Sequence, residues 1–157
     1  ISEIQCDRAP RRTAVAMDFK TEDLGAVLVN RAAFNPSLPT LFIYEGCSMY
    51  FNQEENDRLL QTALRLMHHP NSRIWVDFVN TAIVERRSIN PGVAAFLDGM
   101  EELGESFIFG VDDPTSYLQS LGFGAVRSTT SGDYLRESSG VFETYGFAVA
   151  GPQDAAE

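Results

Sequence analysis

Pro39-Thr-Leu-Phe-Ile-Tyr-Glu-Gly-Cys-Ser-Met-Tyr-Phe51 is the stretch from which the architecture of this chain can be inferred. Thr40 to Tyr44 is a short, mostly apolar run rich in strand-forming residues, and Pro39 and Gly46 bound it. Such a run predicts a strand that is covered on both faces. Glu45 follows directly, at the edge where open α/β sheets bind ligands, because helices cover the faces and leave a crevice beyond the strand ends. A carboxylate there can bind a cationic ligand group.

A helix is predicted to follow this strand. Asn52 and Glu55 have the spacing of a capping box, in which each side chain accepts a hydrogen bond from the other residue's backbone N–H. Apolar residues then recur on one helical face, at Leu59, Leu60, Ala63, Leu64 and Met67.

Strand-like and helix-like patterns alternate along most of the chain. We predict parallel strands over Thr13–Asp18, Thr40–Tyr44 and Arg73–Phe78, and an antiparallel strand over Val141–Val149 at or near an edge. The predicted fold class is therefore α/β, with a mostly parallel sheet, helices on both faces and an antiparallel carboxyl-terminal edge.

The length of the chain indicates how many domains it forms, and its charge balance indicates which classes of partner it can bind. A chain of 157 residues suits one domain, and we predict a connector over residues 1–12, a domain over 13–150 and a tail over 151–157. The 22 Asp and Glu outnumber the 12 Lys and Arg, for a formal net charge of −10. This balance argues against nucleic-acid and membrane partners, since both are bound through basic surfaces.

Two cysteines, Cys6 and Cys47, have neither metal-ligand spacing nor the number that a disulfide framework needs. No apolar run approaches the roughly 18 residues of a membrane span, and residues 1–12 lack a signal-peptide core. We therefore expect a cytoplasmic protein without a bound metal.

Three carboxylates fall at or near the carboxyl ends of predicted strands: Asp18, Glu45 and Asp77. The carboxyl ends of parallel strands meet at one rim, so the three side chains could line one crevice. Each of them could instead be a solvated or helix-capping acid, and the sequence leaves both interpretations open.

Hydrolytic and metal chemistry receive little support. Gly46-Cys-Ser-Met-Tyr50 joins a strand to a helix as a nucleophile elbow does, but Tyr50 replaces the second glycine. His68 and His69 lie at the far end of the following helix, and adjacent helical residues point about 100° apart, which is unsuitable for a metal pair. Cys47 has no histidine placed near it and is expected to be a small buried thiol.

Five segments of the chain belong together: Ala16-Met-Asp-Phe19, Leu38-Pro-Thr-Leu-Phe-Ile-Tyr-Glu-Gly-Cys-Ser-Met-Tyr-Phe51, Trp75-Val-Asp77, Gly104-Glu-Ser-Phe-Ile-Phe-Gly110 and Tyr117-Leu-Gln-Ser-Leu-Gly-Phe123. In order and spacing they resemble the leucine carboxyl methyltransferase family of class I S-adenosylmethionine-dependent methyltransferases, and within it the bacterial branch. The resemblance covers roughly residues 13 to 125.

This resemblance implies a Rossmann-like sheet whose amino-terminal strands are missing. In the family, the glycine-rich cofactor loop and the acid that holds the ribose precede the segment at which this sequence starts. We therefore expect the chain to be the carboxyl-terminal part of a methyltransferase domain, as a fragment or as one piece of a split protein.

The resemblance also implies roles for single residues. Asp18 and Phe19 would flank the adenine of S-adenosylmethionine, and Glu45, with Gly46 beside it, would receive the ammonium or ribose side of the cofactor. Tyr50 would face the methyl acceptor, and Asp77 would border the same pocket. No catalytic residue is implied, because the acceptor oxygen attacks the methyl carbon directly and the site works by alignment.

The resemblance implies O-methylation as the reaction, and the expected acceptor is a small molecule or a protein carboxylate. The alternative function is a non-catalytic interaction module derived from the same fold. Its partner would be the missing amino-terminal segment or a second chain, bound at an exposed sheet edge.

Overall fold

This computed structural model describes residues 13–87, 91–133 and 145–153, which contain both helices and strands. The helices are α1 (Leu24–Arg31), α2 (Gln53–Arg65), α3 (Thr81–Val84), α4 (Pro91–Glu102) and α5 (Pro114–Ser120), and the strands are β1 (Leu41–Tyr44), β2 (Arg73–Val79), β3 (Val126–Thr130) and β4 (Tyr145–Ala150). The chain divides into two compact units, Ile1–Asn35 and Pro36–Glu157.

The first unit contains α1 and the segment before it. Asp23 caps the helix, because its Oδ1 accepts a hydrogen bond from the Ala26 N–H at 2.7 Å. Val27 is the buried residue of this helix. The Arg31 guanidinium pairs with the Glu22 carboxylate at 2.7 Å, which ties the end of α1 to the turn before it.

The strand predicted over Thr13–Asp18 is wrong. Residues 13–18 have no regular secondary structure, and Asp18 begins a turn whose hydrogen bonds its own side chain supplies. A strand forms only where a neighbouring strand accepts its backbone hydrogen bonds, and the described sheet consists of four other segments. An aspartate that binds backbone and hydroxyl groups two and three residues on favours a turn instead.

The second unit contains the sheet, whose strand order is β1-β2-β4-β3. Strand β1 is parallel to β2, whereas β4 is antiparallel to both of its neighbours. The predicted α/β class with antiparallel carboxyl-terminal strands is confirmed. Parallel pairing is confined to β1 and β2 among the described strands. The first four residues of the strand predicted over Val141–Val149 lie outside the described residues.

Each sheet face contacts a different apolar cluster. On one face, Ile74, Val76 and Phe78 of β2 and two alanines of β4 pack with side chains of α2 and α5. The opposite face contributes Val79 to a smaller cluster that contains residues of α3 and α4. The members of that cluster are Met49, Val79, Ile83, Val93 and Leu97.

No helix in the described part of the chain combines the length and the apolar character that crossing a membrane would require.

Candidate functional site

The turn after β1, residues Glu45 to Phe51, forms the centre of the site and is called the acidic turn below. Gly46 has a φ of 63°, a left-handed conformation that glycine adopts without steric cost. A 3-10 helix over Ser48–Tyr50 follows, and Asn52 then caps the start of α2. The left-handed residue lets the chain leave the sheet edge and turn back toward the helix within a few residues.

Strand β2 holds one side of the acidic turn through Asp77. The Gly46 N–H donates to Asp77 Oδ1 at 2.9 Å, and the Ser48 hydroxyl donates to the Asp77 carbonyl oxygen at 2.6 Å. Tyr44 is in register with Val76, so Glu45 follows β1 at the level of Asp77. The parallel pairing therefore brings the two carboxylates to the same edge of the sheet.

Helix α2 holds the other side of the acidic turn through Asn56. The Asn56 amide nitrogen donates toward the carbonyl oxygens of Ser48 at 2.9 Å and Phe51 at 3.0 Å. The Tyr44 hydroxyl donates to Asn56 Oδ1 at 3.1 Å. One buried side chain thus joins the last residue of β1 to the 3-10 helix.

An aromatic wall lies beside the acidic turn. The Tyr50 and Phe107 rings meet edge to face with centroids 5.3 Å apart, and Phe96 of α4 meets Phe107 at 6.0 Å. The Ile108 N–H donates to the Met49 carbonyl oxygen at 2.8 Å, which fixes this segment against the turn. Tyr50 is only partly buried, so part of its surface remains accessible to a ligand.

Burial is the main influence on the Asp77 carboxyl. The side chain is 5% exposed, and this desolvation raises its pKa because the charged form is disfavoured. The Gly46 N–H opposes the shift, since it stabilises the carboxylate, and the nearby charge of Glu45 adds to it. Asp77 can therefore hold a proton at a higher pH than an exposed aspartate.

The neighbouring ionisable groups favour their neutral forms. Burial, followed by the charge of Asp77, raises the pKa of the Cys47 thiol and of the Tyr145 hydroxyl. Burial also raises the pKa of Tyr50. A neutral thiol is a poor nucleophile. The prediction that Cys47 is a buried thiol is wrong, because the residue is only partly buried.

The structure brings four of the sequence-predicted site residues together: Glu45, Gly46, Tyr50 and Asp77. Asp18 and Phe19 lie in the turn before α1, in the unit Ile1–Asn35. Both Asp18 carboxylate oxygens bind within that turn, to the Lys20 N–H and the Thr21 hydroxyl, which lowers the Asp18 pKa. The prediction that Asp18 ends a sheet strand is wrong, while its role toward adenine stays a prediction.

The site contains residues that the sequence did not indicate. Asn56 lies one helical turn before Leu60, on the buried stripe of α2, and a polar residue in that stripe is the signal that could have revealed it. Tyr145 belongs to a strand that approaches β2 only through long-range pairing, so no local pattern connects it with Asp77.

The side chains considered for hydrolytic and metal chemistry have other roles. Ser48 is 1% exposed and donates its hydroxyl to a backbone carbonyl, so it is not presented as a nucleophile. His69 Nδ1 accepts a hydrogen bond from the Asn71 N–H at a turn. Among the described residues, no group of three or more His, Cys, Asp or Glu side chains could hold a metal ion.

Comparison with protein families adds a second kind of observation. The sequence model of the leucine carboxyl methyltransferase family matches residues 1–64. Over this part, the chain is similar to leucine carboxyl methyltransferases. The resemblance to the leucine carboxyl methyltransferase family is thus confirmed for the segment that contains the acidic turn. No curated protein sequence matches the chain.

Solved structures are similar to the chain at low sequence identity. A possible exported protein from Bordetella parapertussis has 14% identity and a TM-score of 0.51 over 77% of this chain and 43% of its own. Human N-acetylserotonin methyltransferase in complex with SAM has 18% identity, a TM-score of 0.46, and coverage of 75% and 31%. The S-adenosylmethionine-dependent methyltransferase SibL has 18% identity, a TM-score of 0.48, and coverage of 89% and 35%.

These structures differ from the chain in length. The chain spans 43% of the Bordetella protein and about a third of the two methyltransferases. The likeness to the Bordetella protein supports the α/β fold. Activity, substrate and partners are matters for proposal.

Proposed function

We propose that the acidic turn binds S-adenosylmethionine and that the polypeptide transfers its methyl group to an acceptor oxygen. The observation that carries this proposal is the match of residues 1–64 to the leucine carboxyl methyltransferase family, since that segment contains the whole turn. The geometry supports it, because side chains of both β2 and α2 bind the turn.

Glu45 is the proposed contact to the cofactor. Its carboxylate is exposed and makes no side-chain hydrogen bond or ion pair with another described residue, so it is available to the ammonium or ribose group. Gly46 lies beside it without a side chain in the way. Tyr50 and Asp77 are the proposed border of the acceptor pocket.

The chain's own residues act by alignment in this mechanism. The acceptor oxygen attacks the sulfonium methyl carbon, the carbon–sulfur bond breaks, and the sulfur leaves with the electron pair as a thioether. An acceptor carboxylate is already ionised and needs no base, whereas an acceptor hydroxyl must lose a proton. In this mechanism the turn keeps the two reactants in a fixed relative position, and such orientation lowers the activation barrier.

The test is a calorimetric titration of S-adenosylmethionine. It uses the 157-residue chain and the longest natural polypeptide that contains it. We expect the longer polypeptide to bind S-adenosylmethionine and the chain alone to bind it weakly. A pocket that covers the ligand on one side buries too little of its surface to offset the loss of translational freedom, which costs at least ~4 kcal/mol. Absence of binding by both polypeptides contradicts the proposal.

A matched pair of variants assigns the contact. Glu45→Gln is expected to weaken binding by about tenfold or more, the effect of losing a charge-assisted hydrogen bond. Glu54→Gln makes the same chemical change at an exposed position on α2 and is expected to have no effect. Equal loss in both variants would point to overall charge instead of a specific contact.

A second candidate function is that of an interaction module, and one surface favours it. The face of the sheet that contains Asp77 also presents apolar side chains near β1: Leu41 is 60% exposed, Ile43 is 65% exposed and Val149 is 39% exposed. Trp75 stacks on Phe147 in the same region, with centroids 5.6 Å apart. We call these five residues the apolar face. Contiguous exposed apolar surface of this kind marks an interaction site.

The proposed occupant of the apolar face is a further polypeptide segment that continues the fold, as the longer Bordetella relative allows. Trp75 is the single tryptophan of the 157 residues, so the emission of this chain reports on the apolar face. In the longer polypeptide, with any further tryptophan replaced by phenylalanine, we expect blue-shifted emission and weaker acrylamide quenching. The occupant would instead be a second copy of the chain if the tryptophan emission of the chain alone shifted with protein concentration. In that case Ile43→Lys should abolish the shift, and Leu103→Lys should retain it.

A further inference from the structure

Asn56 is a fully buried polar residue with an unusual set of partners. It is 0% exposed, although it belongs to a helix whose other buried stripe residues are mainly apolar. Its amide nitrogen lies within hydrogen-bond distance of three carbonyl oxygens, those of Ser48, Phe51 and Asn52. Its amide oxygen accepts from the Tyr44 hydroxyl. The side chain therefore satisfies its donors and its acceptor without water.

These partners lie mostly outside α2. Only Asn52 is a helical neighbour, four residues before Asn56, whereas Ser48 and Phe51 flank Tyr50 in the acidic turn and Tyr44 ends β1. A residue needed only for packing at this position would be apolar, because burying an amide is unfavourable unless its hydrogen bonds are made. The bonds that compensate this burial are the ones that fix the acidic turn.

The two anchors of the acidic turn complement each other. Asp77 fixes its amino-terminal part through Gly46 and Ser48, and Asn56 fixes its carboxyl-terminal part through Ser48 and Phe51. Ser48 is bound by both anchors, so loss of the Asn56 side chain loosens the turn on both sides of Ser48. Tyr50 lies in the part that depends on Asn56.

We infer that Asn56 is a positioning residue, which holds the acidic turn in the conformation that presents Tyr50 to the acceptor and Glu45 to the cofactor. The roles given to Tyr50 and Glu45 rest on the proposed function. The role of Asn56 in holding the turn rests on its hydrogen bonds. It adds to the site a residue that touches neither ligand. Its removal changes the geometry of the turn without removing a ligand contact.

The test replaces Asn56 with aspartate, which keeps the size of the side chain and removes the amide donors. Above the pKa of the new carboxyl, which burial raises, the carboxylate faces three carbonyl oxygens and repels them. Below that pKa the neutral acid has one O–H to donate. We expect amide protection factors of Gly46, Tyr50 and Phe51 to fall at least tenfold at neutral pH and to recover partly as the pH is lowered.

The matched control is Asn52→Asp, which makes the same chemical change four residues earlier. Aspartate and asparagine cap helices about equally well, so protection in the acidic turn is expected to match that of the unsubstituted chain at neutral pH. Tyr44→Phe is a milder second variant, which removes one bond to Asn56, and a fall of a few fold is expected. In all variants the β2 amides should keep their protection.

Two readouts separate this inference from the proposed function. Unchanged protection in Asn56→Asp, or an equal loss in Asn52→Asp, overturns the positioning role. Where the unsubstituted polypeptide binds S-adenosylmethionine, Asn56→Asp should weaken binding about tenfold at neutral pH and less at low pH. A polypeptide that binds no cofactor would refute the proposed function, while the protection factors would still decide whether Asn56 holds the turn.

Discussion

At Gly46 the backbone φ of 63° lies in the left-handed region, and no atom outside Gly46 and its two chain neighbours lies within 4 Å of the position that a Cβ would take. Gly46→Ala should therefore destabilise the fold by about 1 kcal/mol through backbone strain alone. Gly99 offers the matched control, since it also has open space but lies within α4. Gly99→Ala should raise the free energy of unfolding by about 0.5–1 kcal/mol. Urea denaturation of both variants measures the difference, and equal effects would contradict it.

Asp77 predicts a pH dependence of stability. Its pKa is raised in the folded state above the ordinary 3.8, so the folded chain binds the proton more tightly than the unfolded chain. The contribution of Asp77 to stability is therefore most favourable below the unfolded pKa and declines as the pH rises through the folded pKa. Asp77→Asn keeps an oxygen for the Gly46 N–H and lacks this titration.

The measurement for Asp77 is the free energy of unfolding of both proteins between pH 3.5 and pH 8, which is a range chosen about the ordinary carboxyl pKa. The advantage of Asp77→Asn over the unsubstituted chain should grow as the pH rises from about 3.8 and then level off. A difference that stays constant, or that shrinks with rising pH, would show that the carboxyl is not desolvated.

Residue-level predictions from the sequence succeeded where a local pattern sufficed. Glu45 follows an apolar run and precedes a glycine, which placed it at the strand end. Asn56 was missed because asparagine is usually exposed, and only the Tyr44 hydroxyl and the carbonyls of the turn make its burial favourable. Those partners are brought to it by the packing of α2 on the sheet, which no local pattern records.

At the scale of single elements, α2 depends on its first turn. Asn52 Oδ1 accepts from the Glu55 N–H and Glu55 Oε2 accepts from the Asn52 N–H, both at 2.9 Å, so the predicted capping box is confirmed. Asn52→Ala should lower the free energy of unfolding by about 1 kcal/mol. Gln53→Ala, one residue later and exposed, should change it by less than about 0.5 kcal/mol. Thermal or urea denaturation distinguishes them, and similar losses would argue against the cap.

The strands show why some elements were predicted correctly and another was not. The sequences of β1 and β2 are apolar runs bounded by turn residues. The helix between them provides the crossover connection that parallel strands require, and the two strands are parallel. Thr13–Asp18 has a similar composition but is not paired in the described sheet, and side chains such as Thr13 and Ala16 are exposed. Composition measures strand propensity, whereas pairing depends on what else reaches the same edge.

At the scale of the whole molecule, the sheet unit contains its own core. Both apolar clusters, with the partly buried residues packed against them, lie between Phe42 and Ala150. A polypeptide spanning Pro36–Glu157 should therefore fold alone and unfold in one cooperative urea transition. Far-ultraviolet circular dichroism and tryptophan emission should report the same midpoint, since Trp75 lies in β2. Non-coincident transitions, or no transition, would contradict an independent core.

The position of β4 affects how this chain can fold during its synthesis. Residues Tyr145–Ala150 come late in the sequence, yet they pair with β2 on one side and β3 on the other. Until residue 150 has left the ribosome, β3 has no bond to the rest of the sheet and β2 lacks one neighbour. A nascent chain stalled before that point would expose both strands to chaperones. The four-stranded sheet can therefore form only after β4 has been synthesised.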